Sequence, residues 1–154
     1  MPTCARAIAI LLLLTLFGCG FVPDNTNVKV NEAPAEGLTD ASFDHGYLQQ
    51  LIESTRQAAE QRLIEAYNRN RIPTAERNSH ANTSGRYEQN GSHTLAIVEL
   101  SYSGNPMRVT RIVGIRDDRL ITISCISPRG EPIDPFAATG ECAESVRKHL
   151  PLAP

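Results

Sequence analysis

The sequence predicts an α+β fold, built from a long amphipathic helix, a four-stranded antiparallel meander and a short C-terminal helix. Three observations carry this expectation. Apolar residues between Leu48 and Ala66 recur with helical period. From Gly85 to Ile126, stretches that alternate in polarity are separated by compact turn signals. Beyond them Cys142, Val146 and Leu150 return to a four-residue spacing.

The long helix is expected from about His45 to Asn70. Leu48, Ile52, Thr55, Ala59, Leu63 and Ala66 follow one another at steps of 4, 3, 4, 4 and 3, and Leu51 and Ala58 widen the stripe. Asp44 is placed to cap it, with Phe43 and Leu48 forming a hydrophobic staple across the cap. Arg56–Glu60 and Glu65–Arg69 stand at i,i+4 on the other face, and Pro73 ends the element. The polar face is mixed in sign, so core packing is a better account of this helix than membrane or partner binding. Thr74 to Ser84 is polar and reads as a loop.

The strands follow. Gly85–Gln89 and Ser92–Tyr102 flank Asn90-Gly91, a pair suited to the positive φ angles of a tight hairpin turn. In the second strand Ala96, Val98, Leu100 and Tyr102 share one face, and Leu95 and Ile97 the other, so part of it is expected to be covered on both sides. Gly104-Asn105-Pro106 turns the chain into Met107–Arg116, whose apolar alternation is interrupted by Arg111. Asp117-Asp118 turns it again into Arg119–Ile126. Pro128-Arg129-Gly130, Pro132 and Pro135 end the sheet, and a last helix spans about Thr139 to Leu150. Thr139 is its candidate cap, with Glu141 and Glu144 near its positive end and Arg147, Lys148 and His149 near its negative end.

Composition bounds the function. The chain has 154 residues, a formal net charge of −2, 41% hydrophobic and 21% charged residues, and no tryptophan. This is an ordinary small-domain composition, and it offers no basic stripe for nucleic acid.

The N-terminus carries the most specific signal. Arg6 precedes an apolar run, Ala7 to Phe17, that is shorter than the roughly 20 residues needed to span a bilayer. The run ends in Leu16-Phe17-Gly18-Cys19, which resembles the lipobox of bacterial lipoproteins. The resemblance implies a signal peptide over 1–18, diacylation of Cys19 and membrane attachment through acyl chains. Two or three chains would hold a soluble domain stably, where one would not. Gly20, which is not aspartate, implies by the same resemblance the outer membrane, inner leaflet, facing the periplasm. Residues 19–42, with Pro23, Pro34 and Gly37 among polar neighbours, read as a flexible acylated tether, in which only Val28–Val30 could form a short edge strand. Residues 43–154 read as a single domain.

If Cys4 leaves with the signal and Cys19 is acylated, Cys125 and Cys142 remain as an even pair in an oxidising compartment, and a structural disulfide is expected. Two cysteines and scattered histidines are too few for a metal site, and no C-x-x-C motif is present.

The order helix, meander, helix over Phe43–Leu150, with Arg111-Ile112-Val113 leading through a turn to Leu120-Ile121-Thr122-Ile123, resembles the PsbP-like α/β/α sandwich of small envelope lipoproteins. A cystatin-like or NTF2-like sheet around one helix is the alternative. The PsbP-like resemblance implies a binding or assembly module and not an enzyme. No catalytic, cofactor or metal residues are assigned. His45, His80, His93 and His149 lie far apart with no H-x-x-x-H spacing, and Asp117-Asp118 reads as a turn before it reads as an acid–base pair. No nucleophile elbow or phosphate loop occurs. Arg86, Arg108, Arg111, Arg116 and Arg119 supply the sheet with cations, either as solvated faces or as a patch for an anionic ligand or partner. The expected function is that of a lipid-anchored envelope protein that binds an unidentified envelope partner. A small periplasmic inhibitor or immunity protein, or a small hydrolase with a site scattered in sequence, are the alternatives.

Overall fold

Four strands with in-phase alternation need cover on each apolar face, and the structure supplies one helix to each. A computed structural model describes residues 26–39, 43, 45–91 and 93–150. In chain order the elements are β1 (Asn27–Pro34), α1 (His45–Arg69), a 3-10 turn (Thr74–Glu76), β2 (Ala81–Asn90), β3 (His93–Tyr102), β4 (Asn105–Arg116), β5 (Arg119–Ser127) and α2 (Glu141–His149). The fold is α+β. Residues 1–18, Cys19 and the proposed cap Asp44 lie outside the described residues.

The sheet has five strands in the order β1-β5-β4-β3-β2, every pair antiparallel. β2 to β5 form the expected meander. The fifth strand corrects the tether reading: β1 pairs with β5 along its whole length, from Asn27↔Ile126 to Pro34↔Arg119. Its side chains are mostly exposed, and only Val28 and Ala33 are partly buried. It therefore joins through backbone hydrogen bonds and leaves almost no hydrophobic signature. Lys29, Glu32 and Pro34 suit an open edge that must not pair further. The next residue, Ala35, is buried and donates its N–H to the Asp118 carbonyl at 2.9 Å.

The two faces have separate cores. On one, Leu95, Ile97, Ile112, Ile121, Ile123 and Cys125 pack under Cys142, Val146 and Leu150 of the α2 region. On the other, Ala96, Val98, Val113 and Ile115 pack with Leu48, Leu51, Ile52 and Phe43, and Leu100 and Tyr102 pack with Ala59 and Leu63. The middle of β3 is thus buried on both sides: Leu95, Ala96, Ile97 and Val98 are all fully inaccessible. Leu95, Ile97 and Val98 each contribute roughly 1.5–3 kcal/mol of transfer free energy. The result is three layers, helix on sheet on helix.

Local chemistry sets the element ends. Phe43 stacks on Tyr47 at 4.8 Å between centroids and faces Tyr87 at 6.3 Å, so the staple side of the α1 start is an aromatic cluster. Arg56 bridges Glu53 and Glu60 at 2.6 and 2.7 Å, while Glu65 instead accepts from Gln61 at 3.1 Å. The stretch read as a loop after α1 holds the 3-10 turn and the first residues of β2, which begins at Ala81 and not Gly85. The cap of α2 is Gly140, with no side-chain capping bond, and not Thr139. Cys142 is joined to Cys125, with Cα atoms 5.8 Å apart, which pins the first turn of α2 to β5. Gly114, beneath α2, leaves no room for a side chain, since a Cβ there would stand 2.6 Å from Leu95 Cδ2 and 2.9 Å from Leu150 Cδ2.

Candidate functional site

Helix α2 is only nine residues long and packs over β5 and β1, so it leaves part of its face of the sheet uncovered. There the strands carry polar side chains in register. Ser84 stands beside Glu99 and Glu99 beside Thr110; Asn82 stands beside Ser101 and Ser101 beside Arg108. The link from β5 to α2 crosses above them through Pro132 and Ile133. The resulting open depression has a volume of about 350 Å³, and its lining includes Asn82, Ser84, Glu99, Ser101, Arg108 and Thr110.

The link is held in place from below. The Ser127 hydroxyl donates to Glu131 Oε2 at 2.8 Å, and this bond, helped by the nearby Arg129 charge, keeps the Glu131 carboxyl below the usual range. Gly130 adopts φ +79°, and a Cβ there would strike the Pro106 carbonyl oxygen, so the tight start of the link requires glycine.

The charges of the depression are asymmetric. Glu99 accepts from Arg86 at 2.8 Å, and Arg86 also holds Glu88 at 2.7 Å, so this carboxylate is already engaged. Those two carboxylates hold Arg86 firmly protonated, its pKa raised first by the Glu88 bond and then by the Glu99 bond. Arg108 is exposed and forms no ion pair among the described residues. Three hydroxyls, a carboxamide and one uncommitted guanidinium around an apolar lid form a surface that can hydrogen-bond a small polar ligand and favour an anionic group on it. The lining includes neither histidine nor cysteine.

The residues singled out in the sequence disperse. His45 meets Gln49 Nε2 at 3.3 Å on the exposed first turn of α1, and His149 ends α2. His80 Nδ1 lies 2.6 Å from the Ser103 hydroxyl, a serine–histidine contact across 23 residues. Backbone bonds at the same place explain it: Ser103 N–H donates to the His80 carbonyl at 3.0 Å and His80 N–H to Ser103 Oγ at 3.1 Å, closing the loop onto the β3–β4 turn. His80 is exposed and Ser103 half-buried, and none of the bonds shown for His80 orients its ring through a carboxylate. Among the described residues no three His, Cys, Asp or Glu side chains are placed to hold a metal ion. Asp117 and Asp118 have φ of 51° and 57°, the left-handed pair of a type I′ turn, which supports the turn reading.

The sheet arginines do not form one patch. Arg86, Arg108, Arg116 and Arg119 share the α2 face; Arg119 bonds Glu32 at 3.1 Å, and Arg116 reaches the Lys148 carbonyl at 3.4 Å and Asp117 at 3.6 Å. Arg111 alone points to the α1 face, where it donates to Thr55 Oγ1 at 3.0 Å. Sequence reasoning missed the depression because Asn82 and Ser84 read as part of a loop, and Ser101 and Thr110 as ordinary solvated strand positions. The available signal was their shared phase with Glu99 and Arg108 once the hairpin registers were known.

Among the described residues no helix is long and apolar enough to cross a membrane. Compared with known proteins, the chain matches no family model, no curated protein and no solved structure.

Proposed function

We propose that this chain is a lipid-anchored bacterial envelope protein, held by acyl chains on Cys19 at the inner leaflet of the outer membrane, whose domain binds or assembles another envelope component. The single observation that carries the anchoring is Leu16-Phe17-Gly18-Cys19 behind a short apolar run. The Cys125–Cys142 disulfide supports it, because such bonds persist in oxidising compartments. A binding role is supported by the polar depression with its uncommitted Arg108, opposite an apolar lid fixed by Ser127 and Glu131. Helices on both faces of an antiparallel sheet support the PsbP-like sandwich reading, and with it a binding or assembly module that performs no catalysis.

Two measurements test this. The full chain, produced in a two-membrane bacterium, should fractionate with membranes and carry an acyl mass, and Cys19→Ser should lose both. A Cys19→Ser protein that still fractionates with membranes, beside a parent without acyl mass, sinks the anchor. Cross-linking in detergent-solubilised envelopes should recover a discrete partner with the parent and not with Arg108→Glu. Equal recovery with both would remove the depression from the reading.

A further inference from the structure

On the face opposite the depression, Arg111 is the one charged residue in the apolar phase of β4, and it is poorly provided for. Its side chain is half-buried, one terminal nitrogen donates to the buried Thr55 hydroxyl, and its Nε is inaccessible with no hydrogen-bond partner. Among the described residues it is the only buried side-chain nitrogen or oxygen in that state. Among the described residues no carboxylate is paired with it, and the charge that acts on it is another cation, Arg62 of α1, which is also without an ion pair among the described residues. Burial, first, and Arg62, second, both push the Arg111 pKa down, so the charged form is disfavoured as it stands.

The surroundings are cationic and hydroxylic. α1 packs most closely over β2 and β3 and touches β4 through Arg111, Val113 and Ile115, with this face of β5 and β1 to one side. The register sets Val98, Arg111, Ser124 and Lys29 side by side across β3, β4, β5 and β1. Strands lie about 4.8 Å apart, so Lys29 is rooted about 10 Å from Arg111, with Ser124 between them on the same face. Thr55 and Arg62 are two turns apart on the same side of α1. The acids nearest in sequence to Arg62 are engaged elsewhere, Glu60 by Arg56 and Glu65 by Gln61.

We infer that Arg111, Arg62 and Lys29, with the hydroxyls of Ser124 and Thr55, form a binding site for a phosphoryl-type oxyanion on the α1 face of the sheet. An oxyanion seated over Ser124 offers acceptors to the guanidinium and offsets the repulsion between Arg62 and Arg111. An arginine fork suits such a group, since it presents paired donors at a fixed spacing. The same chemistry is met by a free phosphate or by the headgroup of an anionic phospholipid. This site is independent of the depression on the α2 face and does not require its ligand.

The test is thermal unfolding of the full chain in neutral detergent, at constant ionic strength set with chloride. Inorganic phosphate at 10 mM is expected to raise the Tm of the parent by a few degrees, with no rise in Arg111→Met and a reduced rise in Arg62→Met. Without phosphate, Arg111→Met should melt at or above the parent temperature, because the substitution removes a desolvated, unpartnered charge. Arg62 is exposed, so its variant remains informative if Arg111→Met does not fold. In a second arm, mixed micelles containing phosphatidylglycerol replace phosphate, with phosphatidylcholine as control. A shift with phosphate assigns a soluble ligand, and a shift with phosphatidylglycerol alone assigns a headgroup; each must be lost or weakened in the variants. No shift in either arm, or equal shifts in parent and both variants, overturns the site.

Discussion

Breaking the Cys125–Cys142 bond is the perturbation whose magnitude follows most directly from the structure. The bond closes a loop of 17 residues in sequence separation. In the chain-entropy picture a loop of that size restricts the unfolded chain by about 3 kcal/mol. The loop contains the Pro128–Gly140 link and the start of α2, and α2 alone is too short to persist as a helix in water. Its docking depends on Cys142, Ala143, Val146 and Leu150, all buried. Urea unfolding of oxidised and reduced parent protein should therefore differ by about 3 kcal/mol, a midpoint shift of roughly 1–3 M. The reduced form should have the larger m-value, since its unfolded state is less compact. Cys125→Ala/Cys142→Ala should lose somewhat more, because both sulfurs sit in a closed core and their removal leaves a void. Hydrogen exchange gives the control: amides of α2 should remain protected in the reduced native protein. A loss below about 1 kcal/mol with an unchanged m-value would refute the argument that the crosslink acts through the unfolded chain.

Gly114→Ala should destabilise by about 1–3 kcal/mol by driving a methyl into Leu95 and Leu150, and Leu150→Ala in the same chain should recover part of that loss; additive losses in urea melts would argue against the contact. Asp118→Gly should stabilise by about 0.5–1 kcal/mol, because an L side chain is strained at φ 57° and Asp-Gly suits a type I′ turn, and a lower melting temperature would contradict this. Ser127→Ala should raise the Glu131 pKa towards the usual carboxylate range, read by carbon NMR titration. The native pKa is depressed, so the Ser127–Glu131 contribution is present above the unfolded pKa and lost as pH falls through the native one. An unmoved titration would assign the shift to another cause.

How far the sequence could be read depended on whether each element's physics was local. The α1 period, the Asn90-Gly91 and Asp117-Asp118 turns and the β3 to β5 alternation are local patterns, and each element appears within a few residues of its expected place. The cysteine pair was legible by counting. β1 was not, because an edge strand held by backbone bonds buries little side-chain surface, and its residues look like a linker. β2 was underestimated for a related reason, since Asn82 and Ser84 at its start are exposed and carry no hydrophobic alternation, although they pair in register with Ser101 and Glu99.

By itself, then, the sequence determined the α+β class, the meander, the two helices, the cysteine pairing and the expectation of a lipid anchor at Cys19. The elements rest on spacing along the chain, the cysteine pairing on counting, and the anchor on the resemblance of Leu16-Phe17-Gly18-Cys19 to a lipobox. Only the tertiary structure decided which face each arginine takes, that a polar depression opens beyond the short α2, and that Arg111 lies under α1 beside Arg62 with no acid to meet it. Those outcomes depend on strand register and on how much of the sheet each helix can cover. Both are set by contacts between residues distant in sequence, which no local period encodes.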